Sequence, residues 1–509
     1  MRRRAAGRRR AEGRRTTAVA LLTAVALGVG AAPAAKAYDA ATTHAGLTQR
    51  AVAASTLHQV LARRLSRPLG IFDSISLHPE LLPAAEGRSL MARLGTLDPA
   101  GGYRPGADGV APAVVFVVAG SVIAKTPPER LQHLFFDPST GAGLRDDAAV
   151  DGFLHSLRTV VDGGGLRGVA TGTGFPFEGQ PSLRWLEAPE NDVGLPVFLA
   201  QLERAVGEAD PAARSSALAR AFLALGGVLT VLEDAGNPAQ VRNDLRATYL
   251  GATAGSAFDR GPAFDRIVAD GYGVSGVPAP RQVVRRPNLR AFFTAADGQG
   301  LADRTQRRFF SAGTLPEDGV VDRDTTSADV VREARASLTY ALPTVPRLEL
   351  RELGLRKYAM AKDGAGAPPR RLFAYERVPG RVRFFLDSAV HVDAARALLP
   401  EVAGYAAGLI DHLLRGEIVL SHEGDRVRAK LPVGAARIRG ESLRLLAEDA
   451  TGVRREIGKF SARDGAPDDV SVAIPAGARR VAAVLRGEDA AGVVVAFGEL
   501  TLAPPAASR

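Results

Sequence analysis

The sequence of 509 residues contains no cysteine. This excludes disulfides, thiolate metal sites, a thiol nucleophile and a lipid anchor attached to cysteine. Aromatic residues are also scarce, at 6% of the chain, and Trp185 is the single tryptophan. With 46% apolar residues the chain is nevertheless long and apolar enough to bury a large core, and its length predicts two or more domains.

Most of the chain lacks an excess of basic charge, although the formal net charge is +10. Residues 1–37 contain nine basic side chains and one acidic side chain, whereas the other 472 residues contain 56 basic and 54 acidic ones. Because the basic charge is confined to the first segment, the sequence gives no strong signal for nucleic-acid binding.

Residues 1–37 have the pattern of a secretory signal peptide. An arginine-rich start precedes the apolar stretch Thr16–Ala32, and Ala35-Lys36-Ala37 has the form of an A-x-A cleavage site. The apolar stretch is short for a membrane-spanning helix, and we expect no transmembrane segment later in the chain. The sequence therefore predicts a secreted or periplasmic protein whose mature chain begins at Tyr38.

Helical periodicity dominates residues 38–415. The clearest helix covers 211–235, where apolar residues mark one face: Leu218, Phe222, Leu225, Leu229 and Leu232. Gly226-Gly227 in its middle predicts that a neighbouring element packs closely there. The apolar run 113–124 fits a buried helix or a buried strand, and 361–370 is typical of a flexible connector.

The pattern changes at Gly416, where short alternating runs replace the helical period. Turn signals separate these runs up to Leu502, which predicts a small antiparallel β-sandwich over 416–502 and a disordered tail over 503–509. The predicted fold class is therefore mainly α, with a helical domain over 38–415 followed by the sandwich. We expect a protease-sensitive junction near Gly416 and a 38–415 fragment that stays folded.

A possible metal site lies around Asp234, near the end of the clearest helix. A ligand set H-x3-D-x5-H would place an imidazole one turn before this carboxylate and another just past the helix end. The residues at those places are Thr230 and Gln240. From spacing alone, Asp234 is either a metal ligand or, together with Glu233, part of a solvated acidic pair near a helix end.

Four segments resemble the bacterial zinc-dependent phospholipases C, whose fold the single-strand-specific zinc nucleases share. They occur in the family's order within residues 38–270 and correspond to its first histidine, its H-F-x-D-P-x-T-G motif, its H-x3-D-x5-H segment and its last H-x3-E pair. In the same order, the segments are Thr42-Thr43-His44 with the following AGLTQRAV, Leu134–Gly141, Leu229–Asp244 and Phe264–Val268. The resemblance implies a helical phospholipase C-like fold for residues 38–415.

The resemblance also implies a set of candidate metal ligands. His44 and Asp234 keep the family's residues, and Asp265 replaces a glutamate. Tyr38 stands where the family has an N-terminal tryptophan whose free amine binds zinc, a role that a backbone amine can fill because its pKa lies near neutrality. His133 is offset by one position from an expected histidine and is a candidate substitute for it.

Other ligands that the resemblance implies are missing. Residues that bind zinc poorly or not at all stand where histidines are expected, namely Thr230, Gln240, Leu134 and Gly261, and Lys125 lies near the place of an expected aspartate. Phosphodiester hydrolysis of this kind needs clustered zinc to generate hydroxide and to neutralise phosphoryl oxygens. The resemblance thus implies a degenerate site with no zinc or weakly bound zinc and no assigned catalytic residue.

Two functions follow from this comparison of residues. The first is a non-catalytic binding or structural module with a phospholipid or another phosphodiester as its ligand. The alternative is an active metal-dependent phosphodiesterase, of phospholipase C or nuclease type, with an altered ligand set.

Overall fold

A computed structural model describes residues 38–144, 179–244, 263–315, 319–320, 348–353, 356–363, 368–378, 381–431 and 438–502. The predicted signal peptide 1–37 and the tail 503–509 lie outside these residues. In chain order the described helices are α1 (Ala45–Ala54), α2 (Leu57–Arg64), α3 (Ala84–Gly95), α4 (Ala113–Ile123), α5 (Ser182–Glu187), α6 (Leu195–Gly207), α7 (Pro211–Asp234), α8 (Ala263–Gly276), α9 (Leu289–Phe293), α10 (Leu301–Arg308) and α11 (Ser388–Leu413).

The described strands begin with β1 (Ser74–Ser76), which pairs with β2 (Val110–Pro112). Those that follow are β3 (Gly319–Val320), β4 (Leu348–Leu353), β5 (Arg356–Ala361), β6 (Arg370–Val378), β7 (Arg381–Phe385), β8 (Val419–Glu423), β9 (Arg426–Lys430), β10 (Arg439–Gly440), β11 (Ser442–Glu448), β12 (Arg454–Ser461), β13 (Asp469–Ala473), β14 (Arg480–Asp489) and β15 (Gly492–Thr501).

Helix α7 is the central helix of the core, and α4 packs closely against it. The Asp210 side chain accepts a hydrogen bond from the backbone N–H of Ala213 at 2.8 Å, so the helix begins at a capped end. A Cβ atom added to Gly226 would lie 2.0 Å from the carbonyl oxygen of Val117 in α4, and one added to Gly120 would lie 2.0 Å from that of Leu223. The predicted close packing at Gly226 is therefore confirmed, and the apolar run 113–124 forms a helix.

Among the described residues, α7 is the one helix long and apolar enough to cross a bilayer. The sequence-based expectation that no segment after the signal peptide has this length and composition is therefore wrong. However, 94% of its apolar window is buried inside the protein. Its apolar composition is therefore explained by its place in the core, where neighbouring helices surround it.

Helix α11 is the second long helix and contacts α1, α7 and α8. It begins at Asp387, whose side chain accepts a hydrogen bond from the backbone N–H of Val390 at 3.0 Å. Pro400 lies inside it and does not end it. The helix ends at Leu413, three residues before the change of sequence pattern at Gly416.

Residues 38–415 also contain an antiparallel sheet that the helical reading did not predict. Its strand order is β3-β7-β6-β5-β4. The segment read as a flexible connector, 361–370, joins β5 to β6 within this sheet. The sheet is hard to recognise in the sequence because its strands are short and rich in arginine, so charged residues interrupt the apolar alternation.

The C-terminal strands form two antiparallel sheets with apolar residues between them. One sheet has the order β13-β9-β8, and the other has β11 between β12 and β14, with β15 and β10 also paired to β14. The alternating apolar residues of the sequence lie in the core that these sheets enclose: Val427, Ala429, Val470, Val481, Ala483 and Leu485. The predicted fold class, mainly helical with a small antiparallel β-sandwich after the helices, is therefore confirmed.

The sandwich packs against the helical core. Val484 in β14, with Val495 and Phe497 in β15, belongs to the same buried cluster as Phe198 and Leu202 in α6. The Arg64 side chain in α2 donates hydrogen bonds to the carbonyl oxygens of Leu414, at 2.9 Å, and Gly416, at 3.1 Å. Both apolar and polar contacts therefore link residues before and after Gly416.

Candidate functional site

The candidate site is built around the imidazole of His44, which lies at the end of a π-helical turn over Ala40–His44. Its Nδ1 lies 2.5 Å from Oε2 of Glu233, and its Nε2 lies 3.2 Å from Oδ1 of Asp234. Glu233 and Asp234 are the last two residues of α7, so adjacent carboxylates contact opposite nitrogens of one ring. Thr48, one turn further along α1, donates its hydroxyl hydrogen to Oε1 of Glu233 at 2.9 Å.

Lys125 enters this cluster from the end of α4. Its ammonium donates a hydrogen bond to Oδ1 of Asp234 at 2.9 Å and another to the backbone oxygen of Tyr38 at 3.3 Å. The Asp234 oxygen therefore contacts both the ammonium of Lys125 and the imidazole of His44. The resemblance places Lys125 near an expected metal-binding carboxylate, and the structure places a positive charge beside the retained one.

Asp265, near the start of α8, lies next to this cluster. Its Oδ1 accepts a hydrogen bond from the side-chain amide of Asn237 at 2.9 Å. Burial raises the pKa of Asp265 to about 7, with the charge of Lys125 opposing the rise and that of Asp234 adding to it. Asp265 also lines an apolar cavity with residues such as Phe264, Phe309 and His391.

Tyr38 closes one side of the cluster. Its hydroxyl donates a hydrogen bond to the carbonyl oxygen of Gly236 at 2.9 Å, and its ring contacts those of His44 and Phe264. Burial raises the pKa of Tyr38 well above the usual value, and the charges of Asp265, Asp234 and Glu233 raise it further. Tyr38 is therefore a neutral hydrogen-bond donor here.

The five groups of the central cluster are all buried. Tyr38, His44, Glu233 and Asp234 have no exposed surface, and Lys125 has very little. Burial raises the pKa of Glu233, although its contacts with His44 and Thr48 oppose the rise. Burial and the Lys125 charge lower the pKa of His44, but the carboxylates outweigh both and the net shift is upward. Glu233 and Asp234 are thus a buried pair held by His44, Thr48 and Lys125, and not a solvated one.

Three of the four positions where the resemblance expects histidines are described by the structure, and all three are buried. The Thr230 hydroxyl donates to the carbonyl oxygens of Ser121, at 2.9 Å, and Gly226, at 3.1 Å, which holds it against α4. Gln240 has no exposed surface, and neither of its side-chain polar atoms has a hydrogen-bond partner among the described residues. Leu134 is a buried apolar residue, and Gly261 lies outside the described residues.

His133 is not part of the cluster formed by the other candidates. Its ring stacks on that of Trp185 with 4.2 Å between centroids, and no described contact joins it to His44 or Asp234. Burial lowers the pKa of His133, which favours the neutral ring. The structure therefore brings together four of the five candidate ligands, Tyr38, His44, Asp234 and Asp265, and separates His133 from them.

Sequence reasoning did not assign a role to Glu233, Thr48 or Asn237. The pairing of Glu233 with His44 depends on two elements 189 residues apart, which no local spacing reveals. The position of Glu233 beside the retained Asp234 is the one sequence signal that points to it.

The donor set suits a metal cluster poorly. In the part of the chain that the structure describes, no three His, Asp or Glu side chains are arranged to hold a metal ion. Oδ2 of Asp234 has no hydrogen-bond partner there, which is the one feature that favours a bound cation. A divalent ion on this carboxylate would, however, lie close to the Lys125 ammonium in a buried site, where repulsion between like charges is weakly screened.

No family model and no curated protein matches the chain. Solved structures that resemble it include the alpha toxin of Clostridium absonum, at 9% identity over 92% of this chain and 99% of the toxin, with a TM-score of 0.25. Another is the alpha-toxin of Clostridium perfringens from avian strain SWCP, at 10% identity over 91% and 98%, with a TM-score of 0.24. Similarity at this level gives no information on the site residues of this chain.

Proposed function

We propose that this protein is an exported, non-catalytic module with a phospholipase C-like helical fold, and that its ligand is a phospholipid surface. The observation that carries the non-catalytic assignment is the burial of the retained residues. His44, Glu233 and Asp234 have no exposed surface and are bound by one another, by Thr48 and by Lys125. A phosphodiester cannot approach carboxylates that are closed off in this way.

The placement of the family-like segments supports the phospholipase C-like fold. His44 and Asp234, from two of these segments, are in direct contact. The backbone N–H of Phe136, in the Leu134–Gly141 segment, donates to the carbonyl oxygen of Gln240 at 3.3 Å. Asp265 is joined to Asn237 by a hydrogen bond. Segments that would meet in such a fold therefore meet here, although the ligands between them have changed.

An exposed apolar pair supports the lipid surface as ligand. A short 3₁₀ turn over Gly70–Phe72 follows α2. Leu69 directly precedes it and Phe72 is its last residue, and their side chains are 62% and 63% exposed. Contiguous exposed apolar patches mark sites that contact a lipid surface or a protein, and we propose that Leu69 and Phe72 form part of such a patch.

The catalytic part of the proposal is tested with the purified mature chain. Hydrolysis of phosphatidylcholine and of single-stranded DNA is measured with added zinc and, separately, with a chelator, and no turnover is expected in either condition. The Asp234→Asn variant is the matched control, because it removes the retained carboxylate. A phosphodiesterase activity that is lost both with the chelator and in Asp234→Asn would establish the alternative function.

The lipid part is tested by co-sedimentation with phosphatidylcholine vesicles. The double variant Leu69→Ser with Phe72→Ser should bind several-fold less than the wild type. The control is Met91→Ser, which removes a partly exposed apolar side chain from α3. Equal binding by all three proteins would rule out this surface as the lipid contact.

Export is tested by amino-terminal sequencing of protein recovered outside the cytoplasm. The sequence should begin at Tyr38, after the Ala35-Lys36-Ala37 site. Recovery of chains that retain Met1 in the cytoplasm alone would contradict export.

A further inference from the structure

Lys125 occupies the point at which three polar groups of the site converge. Its ammonium binds the backbone oxygen of Tyr38 and Oδ1 of Asp234, and the same Asp234 oxygen lies 3.2 Å from Nε2 of His44. A carbonyl oxygen, a carboxylate and an imidazole are all ligands of divalent cations.

The charges of the cluster require a cation at this point. Glu233 and Asp234 are adjacent, and both have no exposed surface. A buried carboxylate is stable in its charged form only when it is paired and hydrogen-bonded. Lys125 supplies a positive charge that is part of the chain itself. The two carboxylates therefore do not depend on an ion from solution.

We propose that the Lys125 ammonium is the permanent cation of this site, in the place that a metal ion would need, and that it makes the fold independent of zinc. This inference deepens the proposed function, because it explains how a phospholipase C-like core stays stable after losing its metal ligands. It also implies that the Lys125 charge opposes zinc binding by the ligands that remain.

The first test compares zinc binding by the wild type, Lys125→Ala and Lys125→Arg. Removing the ammonium in Lys125→Ala leaves the Asp234 carboxylate and the Tyr38 carbonyl facing the vacated space, with the His44 imidazole beside the carboxylate. Zinc should therefore bind at least about tenfold more tightly than to the wild type. Lys125→Arg keeps the positive charge and should show no gain. The double variant Lys125→Ala with Asp234→Asn should lose the gain.

A second test uses a cation other than a metal. Lys125→Ala should unfold at a lower temperature than the wild type, and methylammonium should restore part of the loss by filling the vacated space. Tetramethylammonium, which is too bulky for that space, is the control at equal ionic strength. Equal responses to the two ions, or none to either, would show that the site does not need a cation there.

The third test uses the wild type and therefore does not depend on the folding of a variant. The chain after residue 37 contains five lysines, so ¹⁵N-lysine labelling gives a simple ammonium spectrum. Buried Lys125 should give a slowly exchanging signal, unlike the exposed Lys430 and Lys459, and neither zinc nor a chelator should change it. Stoichiometric zinc uptake by the wild type with loss of this signal would overturn the proposal. Phosphodiesterase activity that persists in the chelator would contradict only the proposed function.

Discussion

His44 and Glu233 are 189 residues apart in the sequence, yet Nδ1 of the imidazole lies 2.5 Å from Oε2 of the carboxylate and neither side chain has any exposed surface. This contact joins the start of the helical core to the end of α7. Because the adjacent Asp234 binds the other ring nitrogen, the same imidazole holds two carboxylates in place.

Replacing this imidazole should destabilise the protein strongly. His44→Ala removes one partner from each of two buried carboxylates, and breaking a buried pair costs about 3–5 kcal/mol. The measurement is the free energy of unfolding in urea at neutral pH. His78→Ala is the control, because His78 contacts Glu80 at 3.0 Å near the surface, where an ion pair contributes little to stability. Similar losses in the two variants would show that His44 does not stabilise the carboxylates.

Sequence reasoning predicts the elements of this fold better than the contacts between them. The capped start of α7 at Asp210 and the alternating strands after Gly416 are local patterns and are found in the structure. Whether Glu233 and Asp234 are solvated or buried depends on α1 and α4, which lie far away in the sequence. A local pattern cannot determine this, so the ion pair of Asp234 with Lys125 could not be predicted.

The close approach of α4 and α7 predicts that two glycine substitutions differ sharply in their effect on the stability of the protein. Gly226→Ala places a Cβ atom 2.0 Å from the carbonyl oxygen of Val117, so the helices must separate, at a cost of about 1–3 kcal/mol or more. Gly271→Ala in α8 has nothing within 4 Å of the added atom and should be neutral or stabilising by up to about 1 kcal/mol. Thermal unfolding of both variants measures the difference. An unchanged midpoint for Gly226→Ala would contradict the packing of these helices.

The pH dependence of stability should include a contribution from His412, in the last turn of α11. Its pKa is lowered to about 4, mainly by burial and also by the charge of Arg415, while the charge of Asp489 opposes the shift. The folded pKa lies below the unfolded value of about 6.5, so the contribution is fully present above that pH and is lost as the pH falls toward 4. It amounts to at most about 3 kcal/mol. His412→Gln should flatten the stability profile between these pH values.

The control for this prediction is His422→Gln, which changes an exposed histidine on β8. Urea unfolding at several pH values between 4 and 7 gives both profiles. A His412→Gln profile as steep as that of the wild type would mean that His412 is protonated equally in the folded and unfolded states.

The last prediction concerns Arg454 in β12, whose side chain links the β-sandwich to the helices. Its guanidinium donates hydrogen bonds to Glu448 at 2.9 Å, to Glu499 at 2.5 Å and to the carbonyl oxygen of Val206 in α6 at 2.5 Å. Arg454→Met leaves two buried carboxylates with one partner fewer, so it should cost about 3–5 kcal/mol and speed proteolysis near Gly416.

Arg455→Met is the matched control for Arg454→Met, because Arg455 is the next residue of β12 and its side chain is exposed. It should cost less than about 1 kcal/mol and leave the cleavage rate near that of the wild type. Limited proteolysis also shows whether a 38–415 fragment persists, as the sequence predicts, once the sandwich is cut away. Faster cleavage in Arg454→Met followed by rapid loss of that fragment would show that the helices need the sandwich to cover Phe198 and Leu202. Equal cleavage rates in the two variants would show instead that the apolar contacts alone hold the sandwich in place.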